Sequence, residues 1–534
     1  MRSIVDKEIL QEAGWPQGPL YRDLIAVARG YEERGIEDVE YLLKLLERRF
    51  PKPDPRILRR EKPAPFGEAI EATCEEDEAN IAAVRRQMQQ LLRTPVIESG
   101  AIMPDACPAG VAEAVIPVGG AIAVKNAIIP AAHSADVCCS MYASVFESEV
   151  SVSAMLDSLM ESTRFGPGGR APDKIVHHPV IDEAVWQNPF LQGLQNYAAI
   201  HMADQGDGNH FAYLGKLRID RSLVESLRGA GHEHEAGGFA TALRGRDSIE
   251  RFVLVTHHGS RGLGAKLYGR GQKAAIAETA KVAEGIPTAS AWLDAESEIG
   301  QDYWEALQYV GRWTRANHES IHRLFLEKTE AERVTDFGNE HNFVWKKNDL
   351  FLHGKGATPA WSDGEGRPLL GLIPLNMAEP ILVVLGKNNA DFLGFAPHGA
   401  GRNRSRTATM RQFKLKDGSL DEPAIARVLA ETTAGLDIRW WHGKADLSES
   451  PVAYKSAAQV KEQIQQFDLA EIIAEIAPLG CIMAGDGGPQ PWLSRKDKLS
   501  PKQLRQIEHR ADRRKQRQAI RPDRLDDTDN EKPI

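Results

Sequence analysis

Five separated loops of this sequence each carry histidine, and four of them are rich in glycine. The loops are GDGNHF (206–211), THHGSRGLG (256–264), NEHNF (339–343), HGKGAT (353–358) and PHGAGRNRSR (397–406). Glycine lets a backbone approach a ligand closely, and phosphate is the usual ligand of such loops. Arginine stands beside glycine in HGAGR and GSRG, and its planar guanidinium matches phosphate oxygens. These loops therefore predict a site that handles phosphate.

A carboxylate and a thiol lie three residues apart in SADVCCSM, as Asp136 and Cys139. At that spacing both can face one point from a single turn, as metal ligands often do. The pair also fits a capping Asp beside a small buried Cys. Together with the histidines, it suggests metal-assisted phosphoryl transfer in which imidazole acts as ligand or nucleophile. No Walker loop is present, so any nucleotide is held another way.

The elements that must position these loops differ along the chain. Residues 1–95 are predicted to be a helical N-terminal extension, because apolar residues recur at helical spacing between prolines. Residues 96–485 are predicted to be the catalytic domain, with short β-branched runs separated by Gly and Pro, and with helices such as 457–479 between them. Strands and helices do not alternate regularly, which favours an α+β fold.

Residues 486–534 form the third predicted segment, a basic tail that is helical or disordered. Between residues 495 and 524, 12 Lys or Arg stand against 4 Asp or Glu, whereas the whole chain has a net charge of −9. Two interpretations remain open for this segment, a solvated charged surface and contact with nucleic-acid phosphates.

Composition excludes several classes of protein. The 534 residues are 42% hydrophobic and 26% charged, which is typical of a soluble globular chain. Five cysteines are too few for a disulfide framework, and no apolar run reaches the roughly 20 residues that a membrane helix needs. The first residues lack the pattern of a secretory signal. We therefore expect a cytoplasmic protein with no membrane partner.

Eight blocks in order give the chain a specific resemblance: IMPDACPAG, IPAAHSADVCCSM, GDGNHF, HHGSRGLG, EHNF, HGKGAT, PHGAGRNRSR and ESPVAYK. From about residue 97 to 485 the chain resembles the RtcB family of RNA-splicing ligases. The resemblance implies an α+β fold with a β-sheet core surrounded by helices. It also implies an enzyme that uses GTP and manganese to join RNA 3′-phosphate or 2′,3′-cyclic phosphate ends to 5′-hydroxyl ends.

The resemblance carries individual roles onto this chain. His398 would be the nucleophile that becomes guanylylated, after which GMP passes to the RNA 3′-phosphate and the 5′-hydroxyl displaces it. The implied ligands of two Mn²⁺ ions are Asp136, Cys139, His210, His257 and His341. The implied nucleotide-binding residues are Asn209, His210, Asn342, Pro374, Asn376, Met377, His398, Gly399, Ala400 and Gly401. Zinc stays open as the metal, because thiolate and imidazole suit it better than manganese.

The chain departs from the family at residues expected to recognise guanine or substrate. Tyr213 stands where the family has the carboxylate that contacts the guanine edge, and Met483 stands where it has a near-terminal lysine. The family's PGSMG block is PLNMAEPI here, and the other departures are Cys107, Ser140 and Gly354. A buried site that lacks its polar contact to the base loses discrimination. A ligase with altered nucleotide or RNA-end preference is therefore one hypothesis.

Two other hypotheses use the same scaffold. A metal-dependent RNA phosphoesterase or end-processing enzyme would share the ligands and need no nucleotide. A non-catalytic protein that binds RNA ends would show metal-independent binding and no turnover. The sequence of residues 1–95 carries no motif that separates these hypotheses.

Overall fold

The computed structural model describes residues 3–13, 15, 18, 20–51, 56–110, 114–166, 168–403, 406–415 and 420–485. The predicted basic tail, 486–534, lies outside the described residues. In the described parts the α-helices are α1 (Lys7–Glu12), α2 (Leu20–Glu32), α3 (Val39–Arg49), α4 (Glu75–Leu91), α5 (Val152–Ser162), α6 (Gln195–Ile200), α7 (Arg221–Gly229), α8 (Glu233–Leu243), α9 (Arg261–Val282), α10 (Glu298–Lys328), α11 (Arg406–Arg411), α12 (Glu422–Thr432) and α13 (Ala457–Gln466).

The described strands lie between residues 57 and 483. They are β1 (Ile57–Leu58), β2 (Phe66–Glu68), β3 (Ile97–Cys107), β4 (Val118–Lys125), β5 (Ala127–Ile128), β6 (Ser140–Glu147), β7 (Arg164–Phe165), β8 (Asp204–Gly206), β9 (Phe211–Asp220), β10 (Ser248–His258), β11 (Ala283–Glu284), β12 (Leu293–Asp294), β13 (Glu332–Glu340), β14 (Asn342–Lys347), β15 (Leu350–Lys355), β16 (Ala357–Pro359), β17 (Leu370–Pro374), β18 (Ile381–Gly386), β19 (Phe395–Pro397), β20 (Asp437–Trp440) and β21 (Ala470–Met483).

Two sheets dominate the fold. The larger has the strand order β13-β6-β10-β9-β21-β18-β17, with β20 added parallel to β21. The smaller has the order β14-β15-β4-β3-β2, in which only β2 and β3 are parallel. Helices cover both faces of the larger sheet, with α5 and α10 on one face and α7 and α8 on the other. The predicted α+β class is confirmed.

Alternation along the central strands explains why both faces are covered. On β10, Leu254 packs toward α5 and α10, whereas Val253 and Val255 pack toward α7 and α8. Successive side chains of a strand point to opposite faces, so an uninterrupted apolar run suits a sheet buried on both sides. A further apolar cluster, which includes Ala101 and Leu382, joins the smaller sheet to the β17–β18 edge of the larger.

The single helix predicted over 457–479 is wrong. The helix α13 ends at Gln466, Asp468 adopts a left-handed φ of +48°, and β21 then begins at Ala470. Strand β21 pairs with both β9 and β18, so tertiary pairing overrides the helix propensity of AEIIAEIA.

The N-terminal helices α1, α2 and α3 have an apolar cluster of their own, which includes Trp15, Leu24 and Leu46. Residues 57–91, which the sequence analysis assigned to the same extension, pack differently: β2 pairs with β3, and Val84 and Met88 of α4 lie in the largest core cluster. None of the described helices is long and apolar enough to cross a membrane.

Candidate metal centre and nucleotide cavity

Four of the predicted metal ligands lie at the ends of neighbouring strands, along one edge of the larger sheet that runs across the strands. Cys139 directly precedes β6 and His210 directly precedes β9, whereas His257 is next to last in β10 and His341 directly follows β13. The strands are antiparallel neighbours, with Ser140 paired to both His258 and Glu340. The starts of β6 and β9 therefore meet the ends of β10 and β13 at the same edge.

The ligand atoms form two trios that share Cys139. In one, Cys139 Sγ lies 3.1 Å from His257 Nε2, which lies 3.1 Å from His341 Nε2. In the other, Cys139 Sγ lies 3.6 Å from His210 Nε2, which lies 2.8 Å from Asp136 Oδ2. All ligand atoms of each trio are within 4.8 Å of one another. The atoms of each trio are close enough that each trio would suit a divalent cation.

Burial sets the protonation of these groups. It lowers the pKa of His257 to about 3, with help from the neighbouring His210, so this imidazole is neutral near pH 7. Burial, with Asp136 nearby, raises the pKa of the Cys139 thiol well above its usual value. Burial also opposes ionisation of Asp136, but His210 outweighs it and the pKa is about 2.

A hydrogen bond on the far side of the His257 ring leaves its metal-facing nitrogen available. His257 Nδ1 lies 3.2 Å from the Asn209 carbonyl and donates to it, which fixes Nε2 as the acceptor nitrogen. Nδ1 of His210 and Nδ1 of His341 are buried and have no hydrogen-bond partner among the described residues. The converging sulfur, imidazole and carboxylate atoms are of the types that bind a divalent transition metal.

A buried polar layer lies beneath this edge and was not anticipated from the sequence. His318 of α10 contacts Ser140 Oγ at 3.0 Å and Thr256 Oγ1 at 2.7 Å. His322, one turn further on, contacts Thr256 Oγ1 and Ser144 Oγ, both at 2.8 Å. Ser140 and Thr256 each adjoin a candidate ligand in sequence. These bonds tie α10 to the strand ends that carry Cys139 and His257.

The predicted nucleophile His398 follows β19 and faces the same centre. Its ring centroid is 5.0 Å from that of His341. Asp105 Oδ2 accepts from the His398 backbone N–H at 3.1 Å and from Nδ1–H at 2.5 Å. Because a carboxylate only accepts, the proton stays on Nδ1 and the lone pair is on Nε2. At Gly356, whose φ is +62°, a Cβ would lie 2.8 Å from the His398 ring, so glycine leaves that ring room.

Asp105 is a functional candidate that the sequence reasoning missed. It stands in the MPDAC block, but 293 residues separate it from His398. Its carboxylate is fully buried and held against a histidine. The only signal in the sequence was an acidic residue in an otherwise apolar run.

A cavity of about 240 Å³ opens beside His398. Eight of the ten predicted nucleotide-binding residues line it: Asn209, Pro374, Asn376, Met377, His398, Gly399, Ala400 and Gly401. His210 and Asn342 are not among the lining residues. The Asn342 side chain accepts from the Gly356 backbone N–H at 2.7 Å and donates to the Asp136 carbonyl at 3.2 Å, and so joins two loops of the site.

Comparison with known proteins gives this arrangement a family. A family model described as "tRNA-splicing ligase RtcB" matches residues 183–484. The tRNA-splicing ligases RtcB of Thermococcus kodakarensis and Pyrococcus furiosus are 27% and 28% identical over 54% of this chain, which spans 61% and 30% of their lengths. The RNA-splicing ligase RtcB of Escherichia coli K12 is 23% identical over 68% of this chain and 86% of its own length.

The family match contains three of the five candidate metal ligands, the candidate nucleophile and most of the cavity wall. Since this match covers more than half of the chain, the protein belongs to the RtcB family.

Proposed function

We propose that the protein is an RNA ligase that joins 3′-phosphate or 2′,3′-cyclic phosphate ends to 5′-hydroxyl ends through a His398–GMP intermediate. The observation that carries the proposal is the lone pair of His398 Nε2, fixed by Asp105 next to a cluster of metal-ligand atoms. The names of the curated relatives, which are RNA- or tRNA-splicing ligases, support the reaction class.

The first step forms a bond between His398 Nε2 and the α-phosphorus of GTP and releases pyrophosphate. Asp105 holds the Nδ1 proton and stabilises the positive charge that develops on the ring. The cavity beside His398 accepts the rest of the nucleotide.

The next steps move the nucleotide and then expel it. An oxygen of the RNA 3′-phosphate attacks the phosphorus, the N–P bond breaks, and His398 regains its lone pair. The 5′-hydroxyl oxygen then attacks the activated 3′-phosphate and GMP leaves. A cyclic phosphate must first be opened by water to the 3′-phosphate.

Asp136, Cys139, His210, His257 and His341 would hold the metal, which we propose to be two Mn²⁺ ions. Divalent ions held there would neutralise phosphate charge. The softness of the sulfur and nitrogen donors keeps zinc as the alternative metal. Five unpaired cysteines suit the reducing cytoplasm, which we propose as the location.

A labelling experiment tests the proposal. Purified protein is incubated with MnCl₂ and α-³²P-GTP and run on a denaturing gel, then assayed for joining of an RNA 3′-phosphate to a 5′-hydroxyl. We expect an acid-labile, alkali-stable label that His398→Ala abolishes while bound metal is unchanged. The matched control is His177→Ala, which removes an exposed histidine that is paired with Asp182.

Label retained in His398→Ala would refute the histidine intermediate. Absence of any label in metal-loaded protein, with hydrolysis of a 2′,3′-cyclic phosphate, would instead favour the phosphoesterase hypothesis. RNA binding without metal or turnover would favour the non-catalytic one.

A further inference from the structure

The cavity beside His398 extends along strand β9. Along β9, Phe211 follows the candidate ligand His210, and its ring lies 5.1 Å from that of His257. Tyr213 is the next residue on the same face and lies beyond Phe211, with ring centroids 6.4 Å apart. His398, Phe211 and Tyr213 all line this cavity, which therefore has a Tyr213 end beyond Phe211.

That end is walled by apolar side chains from two neighbouring strands. Phe211 of β9 pairs with Met483 of β21, and Tyr213 pairs with Cys481. Met377 and Ile381 complete this wall. None of these six residues carries a charge, and five lie in a single apolar cluster with Phe211 packed against it.

The one hydroxyl of the wall is already engaged. The Tyr213 hydroxyl donates to the Ile476 carbonyl at 2.9 Å, and the side chain is 1% exposed. Burial raises the pKa of this hydroxyl well above its usual value, so it stays a neutral donor. It offers no carboxylate-like acceptor to a base.

The charged residues that line the cavity lie on the side of the His398 loop. Arg402 and Glu449 form an ion pair at 2.6 Å, and the Tyr454 hydroxyl donates to Glu449 at 2.6 Å. The Arg402 guanidinium also lies over the Tyr454 ring. This trio is held together by its own contacts beside Gly401.

We propose that the Tyr213 end holds the nucleobase by shape and apolar contact and does not select guanine, so that His398 accepts AMP from ATP as well as GMP from GTP. The inference rests on the proposed function. Guanine presents N–H donors at both N1 and N2, and a site selects for them by supplying acceptors. Without such acceptors, burying the guanine edge leaves more unpaired polar groups than burying the adenine edge does.

The test is a comparison of labelling efficiency with α-³²P-ATP and α-³²P-GTP at matched concentrations and saturating MnCl₂. We expect ATP to label with at least one tenth of the efficiency of GTP. A preference for GTP of more than tenfold would overturn the inference and leave the proposed function standing. Absence of label with both nucleotides would overturn both.

Tyr213→Glu supplies the missing acceptor and is expected to shift the GTP-to-ATP ratio toward GTP by at least tenfold. Tyr213→Phe keeps the wall and removes only the hydroxyl, so its ratio is expected to match that of the unmodified protein. An unshifted ratio in a Tyr213→Glu protein that unfolds cooperatively would overturn the assignment of Tyr213. Should that variant fail to fold, the ATP and GTP comparison with the unmodified protein still decides the inference.

Discussion

Replacing Asp105 by asparagine perturbs the group that orients His398 and changes almost nothing else. The asparagine side chain has the same size. Its oxygen can still accept from the His398 backbone N–H and Nδ1–H, which lie 3.1 and 2.5 Å from Asp105 Oδ2 in the unmodified protein. What disappears is the negative charge. If the amide instead turns its NH₂ toward Nδ1, the proton of His398 moves to Nε2 and the nucleophilic lone pair is lost.

The magnitude follows from the two hydrogen bonds. A hydrogen bond to a charged group contributes about 1.5–3 kcal/mol, whereas a neutral one contributes about 0.5–1.5 kcal/mol. Losing the charge from both bonds therefore costs about 2–3 kcal/mol of positioning and of stabilisation of the developing imidazolium. That corresponds to labelling roughly 30- to 150-fold slower, and to about 10⁴-fold slower if the tautomer changes.

The assay is the single-turnover rate of nucleotide labelling, with metal content and thermal unfolding measured on the same preparations. The matched control is Asp349→Asn, which removes an exposed carboxylate 3.8 Å from Lys125. A folded, metal-loaded Asp105→Asn protein that labels within twofold of the unmodified rate would refute the role given to Asp105.

Cys139→Ser is expected to reduce metal binding at both trios, because the sulfur belongs to both. His341→Ala is expected to weaken only the trio that contains His341. Equal metal-to-protein ratios in the two variants, measured by metal analysis, would contradict a shared sulfur ligand. His318→Ala removes one hydrogen bond from each of two buried hydroxyls, Ser140 and Thr256, and is expected to lower the free energy of unfolding by about 1–3 kcal/mol and to weaken metal binding. A change below about 0.5 kcal/mol in urea unfolding would count against this role. Acid is expected to destabilise the fold because three buried histidines stay neutral in the folded state. In the unfolded chain the same histidines bind protons below the usual histidine pKa of 6.5. Each lowers the free energy of unfolding by about 1.4 kcal/mol per pH unit as the pH falls from 6.5 toward its folded pKa, and stability that is constant from pH 6.5 to 4.5 would contradict this. Burial lowers the pKa of His133 to about 4 and lowers the pKa of both His322 and His353 to about 3. Truncation at about residue 490 is expected to reduce the salt dependence of RNA binding if segment 495–524 contacts phosphates, and an unchanged slope would exclude that contact.

The short sequence motifs are specific enough to identify the family and to name the residues that meet where the ends of β6, β9, β10 and β13 come together. Cys139, His210, His257 and His341 stand in distinctive glycine-containing or polar segments, and each is recognisable without knowledge of its neighbours in space. The α+β class follows in the same way, because the periods of apolar residues are local properties. The helix predicted over 457–479 shows the limit: only pairing with β9 and β18 makes residues 470–483 a strand.

The tertiary structure alone decided which residues support those named by the sequence. Asp105 reaches His398 across 293 residues, and His318 reaches Ser140 across 178. The apolar end of the cavity depends on the register of β9 against β21, which pairs Tyr213 with Cys481. A shift of one residue would turn these side chains to the other face of the sheet. The register of β9 against β21 is fixed by the summed packing of the whole sheet. It therefore cannot be predicted from the sequence around Tyr213 alone.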